Sequence, residues 1–260
     1  MGHDTVSKGS TIAGNLLGEL DFITSTAPLG GINPNNKYYT IIGNQFRDIL
    51  IQYAGLSNNS SILDIGCGTG RLTKALLNLD IKNYDGYDVN KKYINYCKET
   101  FINPKFKFRH VNIYNSEYNT DGIKEYLVDL PYQDGYYDII SVIAVVNHIS
   151  YKDLEFILTQ SSRLLRHGGV LAFTTTLLNN RSISYINNRT TQPYMFTNRE
   201  EHAWYDYKDR PHVNVAHFET DVRRLLMKNR FVIREPIGYG EWQLSKVAVC
   251  GPDLVIAIKN

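Results

Sequence analysis

Residues Ile62-Leu63-Asp64-Ile65-Gly66-Cys67-Gly68-Thr69-Gly70 decide how this chain is read. The first four sit in a short apolar strand over residues 61–65, and three glycines then follow at alternate positions. Arg71 opens a helical segment over 71–79, with Leu72, Ala75, Leu76 and Leu79 on one face. Glycine reaches positive φ and lets a ligand come close to the backbone. The helix behind the turn offers N–H groups with no partner inside the helix. A second strand over 84–87 leads to Asp88. A carboxylate at that strand end can accept two hydrogen bonds from the hydroxyls of a ribose.

Strand and helix signals continue to alternate downstream. Asn90 is placed to cap a helix whose apolar face carries Tyr93, Ile94, Cys97 and Phe101. A third strand is expected over 106–111. The apolar run 137–146 reads as a strand buried on both faces. A helix over 151–165 has Leu154, Ile157, Leu158, Ser161 and Leu165 in register. Gly168-Gly169 is expected to end it before a fifth strand over 170–175. Upstream, residues 38–56 carry Ile42, Phe46, Leu50 and Tyr53 at helical spacing. This alternation predicts an α/β fold, a doubly wound and mostly parallel sheet with helices on both faces.

The pattern breaks at both ends. Residues 1–36 read as a loose N-terminal arm, polar and rich in Gly, Asn and Pro, with a short helix over 16–23. After Thr176, an insertion at about 177–214 is polar and aromatic without clear periodicity. A helix bearing Phe218, Val222, Leu225 and Leu226 follows, then strands over 231–235 and 254–258. The expectation is one domain over 37–260 that carries the insertion. No internal repeat or low-complexity tract is found.

Composition narrows the function classes. The 260 residues are 43% hydrophobic, enough to fill a core, which excludes a wholly disordered chain. With 28 basic and 26 acidic residues, the net charge of +2 gives no strong sign of a nucleic-acid partner. No apolar run reaches the length of a membrane span, and no signal peptide is expected. Val6 stands where a myristoylation signal needs Ser or Thr. The three cysteines, Cys67, Cys97 and Cys250, match neither a zinc spacing nor a disulfide framework. A reducing, cytoplasmic setting is expected, with no membrane partner. The oligomeric state is not legible.

The nine-residue string resembles motif I of the class I S-adenosylmethionine (SAM)-dependent methyltransferases, within the methyltransferase-11/25 type. The competing dinucleotide-binding turn is G-x-G-x-x-G. Here Arg71 falls where its third glycine belongs, and no second catalytic domain follows. A purely structural α/β domain is the third possibility. Further stretches resemble the family in its own order: Tyr84-Asp85-Gly86-Tyr87-Asp88, Phe108-Arg109-His110-Val111-Asn112, the run 130–138 before the fourth strand, and 162–169 before the fifth. The resemblance covers roughly residues 40–176 and returns in the last strand pair. It implies a Rossmann-like seven-stranded sheet whose last strand is antiparallel. It also implies SAM as cofactor, released as S-adenosylhomocysteine (SAH). The implied cofactor-binding set is Asp64, Gly66, Cys67, Gly68, Gly70, Asp88, Val89, Asn112, Ile113 and Ala144. Asp88 would hold the ribose. Asn112, where the family often has Asp, would face the adenine amine without charge. Tyr38 and Tyr39 would close over the methionine end. Residues 106–122 and Tyr239-Gly240-Glu241-Trp242 are similar to bacterial and viral methyltransferases found near glycan-assembly genes.

Methyl transfer needs alignment of the acceptor, and a base where the acceptor is a hydroxyl. His148, just past the fourth strand, is the first candidate base. The alternative for it is packing or capping. His217, where the insertion returns to the sheet, is the second, against a surface cap. His202 and His212 rank below. Tyr205 and Trp242, with Glu241 beside it, are candidate acceptor-binding residues; Trp242 is otherwise core. The insertion's aromatics, interleaved with arginines, suit a sugar or an acidic group. The alternative is a packed or interface piece with its own small core. Cys67 fits the turn because it is small. No Pro-Cys pair and no Asn-Pro-Pro-aromatic motif is present, and no acidic cluster suggests a metal. The expected reaction is methyl transfer to a hydroxyl of a sugar, glycan precursor or other small metabolite. An RNA or protein acceptor is the alternative, and a non-catalytic SAM-binding scaffold is the third reading.

Overall fold

Adjacent residues of the central strands face opposite sides, and both sides are apolar, so helices must cover both. In the computed structural model, which describes residues 33–35, 37–124, 129–188, 195–243, 245 and 248–260, they do. The chain runs α1 (Lys37–Ala54), β1 (Ser61–Ile65), α2 (Arg71–Leu76), β2 (Asn83–Asp88), α3 (Lys91–Thr100), β3 (Phe106–His110), β4 (Tyr137–Val142), α4 (Tyr151–Leu164) and β5 (Leu165–Thr175). It continues with β6 (Leu177–Leu178), α5 (Asn180–Asn187), β7 (Asn198–Arg199), β8 (Ala203–Tyr205), β9 (Val215–Phe218), α6 (Glu219–Lys228), β10 (Phe231–Ile233) and β11 (Asp253–Lys259).

The main sheet has the order β10-β11-β5-β4-β1-β2-β3. Only β11 opposes the others, pairing antiparallel with both β5 and β10. This is the expected Rossmann-like seven-stranded α/β sheet. Ile62 and Leu63, neighbours on β1, are both fully buried but belong to different cores. Ile62 packs with Phe46, Leu50, Leu72 and Ile94 from α1, α2 and α3. Leu63 packs with Leu154, Leu158, Val222 and Leu226 from α4 and α6. Each such side chain contributes about 1.5–3 kcal/mol by leaving water.

Several boundaries differ from expectation. The strand expected over 137–146 ends at Val142, because Ala144 takes a left-handed backbone (φ 55) and donates its N–H to Thr174 Oγ1 at 2.8 Å. Gly168-Gly169 does not end a helix. α4 stops at Leu164, Leu165 is already extended, and the glycine pair lies inside β5, where the register against β4 shifts. Gly168, at φ 72, supplies the bend.

The insertion is not aperiodic in space. β6, β9, β8 and β7 form a second sheet in that order, topped by α5. Leu178, Ile186, Phe196, Trp204, Ala216 and Trp242 make a core of its own. The expected helix over 16–23 and most of the arm lie outside the described residues, as do Arg189 and Tyr194. Among the described residues no helix is long and apolar enough to cross a membrane.

Candidate active site

Parallel strands β1, β2 and β4 end at one edge of the sheet, and a cleft opens there. Its floor is the glycine turn. Gly66, Gly68 and Gly70 all have positive φ, at 75, 56 and 82°. A Cβ on Gly66 would meet Val145 Cγ2 at 2.3 Å, and one on Gly70 would meet Phe101 Cε2 at 2.3 Å. The turn is therefore closed to any side chain at these two positions, for conformation and for space. The N–H groups of Gly66 and Cys67 donate to the Tyr87 carbonyl at 2.8 and 3.0 Å, tying the turn to the end of β2.

Asp88 stands at that end. Its Oδ2 accepts from Gly68 N at 2.9 Å and its Oδ1 from Asn90 N at 2.7 Å. A carboxylate has about four acceptor positions, so two remain for a ligand. Burial pushes its carboxyl up to about 6, which leaves it ionised near neutrality. This arrangement fits a ribose with two vicinal hydroxyls. Asp64, by contrast, is turned inward. It accepts from Tyr84 Oη at 2.6 Å and Ser141 Oγ at 2.7 Å, and burial raises it to about 6 as well. It braces the turn. Cys67 is buried beneath the turn, and Gly70 starts α2; neither lines the cleft.

Val89, Ile113 and Ala144 do line it. Asn112 does not. It is exposed, and its side-chain oxygen accepts from Asn119 Nδ2 at 3.1 Å, so the expected contact with a base has to come from elsewhere. Tyr39 reaches the turn from α1, donating its hydroxyl to the Thr69 carbonyl at 2.7 Å, but it is buried under the turn. Among the cleft residues that escaped the sequence reading of the site are Tyr93, Tyr114, Asn115, Tyr118, Asp153 and Phe156. Asp153 carried one legible signal, the Ser150-x-x-Asp153 spacing of a capping box. The structure shows the box formed.

His148 forms part of the cleft wall. Its Nδ1 lies 3.1 Å from the carbonyl oxygen of His212, so Nδ1 must carry the hydrogen and Nε2 the lone pair. Burial lowers its pKa and keeps the ring neutral. The Asn147 amide sits 3.2 Å from Nε2. The ring meets Tyr118 edge-on at 5.9 Å. Asn115 Nδ2 donates to the His148 carbonyl at 3.1 Å, while Asn115 Oδ1 accepts from the N–H of Glu117 and Tyr118. The insertion closes this circuit. Ser116 donates its N–H to His212 Nδ1 at 3.2 Å, and Arg210 pairs with Glu117.

The other catalytic and acceptor-binding expectations are corrected. His217 is fully buried on β9. Its Nε2 donates to the Val146 carbonyl at 3.2 Å, and burial holds its pKa down to about 4, so it joins the insertion to the β4 loop and faces no cleft. Trp242 is 8% exposed and its indole N–H is committed to Asp253 Oδ2 at 2.9 Å; it is core. Tyr205 spends its hydroxyl on Glu200 at 2.7 Å and lies on β8, outside the cleft. His202 stacks on Tyr151 and pairs with Asp221. Among the described residues no cluster could hold a metal ion.

Residues 63–173 match the family model described as a methyltransferase domain. The structure is similar to a SAM-dependent methyltransferase from Methanosarcina mazei, with a TM-score of 0.56, 21% identity, and 81% of this chain and 96% of that one covered. It is similar to a SAM-dependent methyltransferase from Listeria monocytogenes (TM-score 0.55, 16% identity, 85% and 99% covered). It is also similar to a geranyl diphosphate methyltransferase solved with GPP and sinefungin (TM-score 0.50, 15% identity, 82% and 77% covered).

Proposed function

We propose that this chain is a class I SAM-dependent methyltransferase, as its methyltransferase-domain match over residues 63–173 and its fold support, and that it methylates a hydroxyl of a sugar, glycan precursor or other small metabolite. The observation that carries this reading is His148, a cleft-lining residue whose imidazole is neutral and held in one tautomer. SAM supplies a methyl group already activated by its sulfonium. This chain's residues then have three tasks. Asp88 takes the ribose hydroxyls, and the glycine turn admits the amino-acid end at close range. His148 Nε2 takes the proton that the acceptor hydroxyl loses as its oxygen bonds the methyl carbon and the carbon–sulfur bond breaks. The hydroxyl replaces the Asn147 amide at that nitrogen. A base in this role contributes typically about 10²–10⁴-fold.

The insertion is proposed as the acceptor-side cover. Its placement against His148 through His212 supports this, because whatever binds beneath the insertion meets the cleft wall. A balanced net charge supports a small or glycan acceptor over a nucleic acid. The test is transfer of a radiolabelled methyl group from SAM into size-fractionated extract of the source cell, with and without nuclease and protease. Label is expected in the small-molecule or glycan fraction. Label removed by nuclease or protease moves the acceptor to RNA or protein. No label in any fraction, with SAM still bound, makes the protein a SAM-binding scaffold.

A further inference from the structure

Two kinds of lining meet in the cleft. Gly66, Gly68 and Ala144 offer backbone, and Tyr93, Ile113, Tyr118, Phe156 and Ile157 offer apolar and aromatic surface. With a ribose on Asp88, the flat, largely apolar adenine belongs against the second. Adenine also carries an exocyclic amine, a donor that needs an acceptor when buried. In an apolar pocket, a few placed polar groups decide what binds.

The residue implied by family resemblance, Asn112, is exposed and occupied by Asn119. A carboxylate other than Asp88 lines the cleft instead. Asp153 sits in the first turn of α4, and its Oδ2 accepts both the N–H of Ser150 at 2.8 Å and the Ser150 hydroxyl at 2.6 Å. That oxygen is committed to the helix cap. Oδ1 takes no hydrogen bond from the described residues, although the carboxyl is drawn into the cleft wall.

We propose that Asp153 Oδ1 accepts a hydrogen bond from the exocyclic amine of the cofactor's adenine, and so selects a 6-amino purine over other bases. One carboxylate would then do two jobs, each with one oxygen: capping α4 and reading the base. The helix cap fixes the rotamer, so the reading oxygen is oriented before the ligand arrives. Such a site rejects a ligand lacking the amine, because the desolvated carboxylate is left with nothing to bind.

The test compares two ligands by calorimetry on the full chain: SAH, and its analogue with hydrogen in place of the 6-amino group. The wild-type protein is expected to bind the deamino analogue about 10- to 100-fold more weakly, the range of a hydrogen bond to a charged group. Asp153→Ala and Asp153→Asn are expected to bind both ligands with similar affinity. Asn still accepts from Ser150 N–H, so it keeps the cap and separates reading from folding. A residue that mattered only for the cap would weaken both ligands together and leave their ratio intact. Asn112→Ala should retain the wild-type ratio. Equal binding of both ligands by the wild-type protein, or a ratio that survives in both Asp153 variants, overturns the assignment. Failure of the wild-type protein to bind SAH at all overturns the cofactor cleft itself.

Discussion

The strands β1 to β5 and the insertion sheet β6 to β9 are both four- or five-stranded β-structures, yet they stand by different means. The first group is parallel, buried on both faces at its centre, and covered by five helices. The floor of its cleft is made by backbone: strand ends, a glycine turn and a left-handed alanine. The second has strands of two to four residues and six buried core side chains. A sheet that small is marginal alone. It is held by polar joints to the larger body, and one of these centres on Asp253 at the start of β11. That fully buried carboxylate accepts from Leu177 N, Gly240 N, Trp242 Nε1 and Gln243 Nε2, at 2.7–2.9 Å. The lesson is that a cleft floor borne by backbone is set by the fold, whereas the insertion beside it depends on single side chains.

The largest effect should come from breaking that joint. Asp253→Ala strands four buried donors at once and is expected to cost about 3–5 kcal/mol in denaturant unfolding, the range for breaking a buried charged network. Asp253→Asn, which keeps an acceptor oxygen, should lose less. A cost below about 1 kcal/mol for the alanine would mean that apolar packing alone holds the insertion, and the contrast drawn above would fail.

Next comes the reaction. His148→Ala should lower turnover by about 10²–10⁴-fold while leaving SAM affinity within a few-fold. Turnover at the wild-type rate would remove His148 as the base.

Smaller is the effect at Asp88. Asp88→Ala should weaken SAM binding by about 1.5–3 kcal/mol, the loss of charged hydrogen bonds. The pH dependence has a definite sign. Asp88 titrates at about 6 in the folded protein and ligand hydroxyls favour its ionised form. Affinity should therefore be level above pH 6 and fall as the pH drops below it. Asp153 also titrates at about 6, raised by burial. Asp88→Asn and Asp153→Asn should each remove part of that acid limb. A wild-type affinity unchanged between pH 7 and 5 would place the ribose elsewhere.

How much of this could be read from the sequence follows the same division. Ile62 to Gly70 specify strand, turn and helix locally, and Asp88 follows one strand later, so the glycine turn and the carboxylate beside it were legible. The apolar lining was not. Tyr118 and Phe156 come from a loop and a helix that meet only after the sheet folds. Asn112 sat at the expected position, yet local hydrogen bonds to Asn119 turned its side chain away. The run 137–146 looked like one strand because apolar periodicity cannot signal a left-handed residue at Ala144. The insertion hid its sheet because strands of two or three residues are shorter than any period. His217 and Trp242 looked functional by their chemistry, and became structural because burial and Asp253 claimed them.

The smallest effect tests whether cover and cleft are coupled at all. His212 ties the insertion to the cleft twice: its carbonyl takes His148 Nδ1, and its ring takes the N–H of Ser116 in the cleft-lining loop. Burial lowers its pKa, so the ring is a neutral acceptor at pH 7. His212→Ala deletes the ring contact and keeps the carbonyl. It should weaken SAH binding by about 0.5–1.5 kcal/mol, one ordinary hydrogen bond, with unfolding of the large body unchanged. His212→Asn, whose Oδ1 can take the Ser116 N–H, should restore most of the affinity. Should the alanine bind SAH as tightly as the wild type, the insertion covers the cleft without shaping it, and the larger body builds the cofactor site unaided.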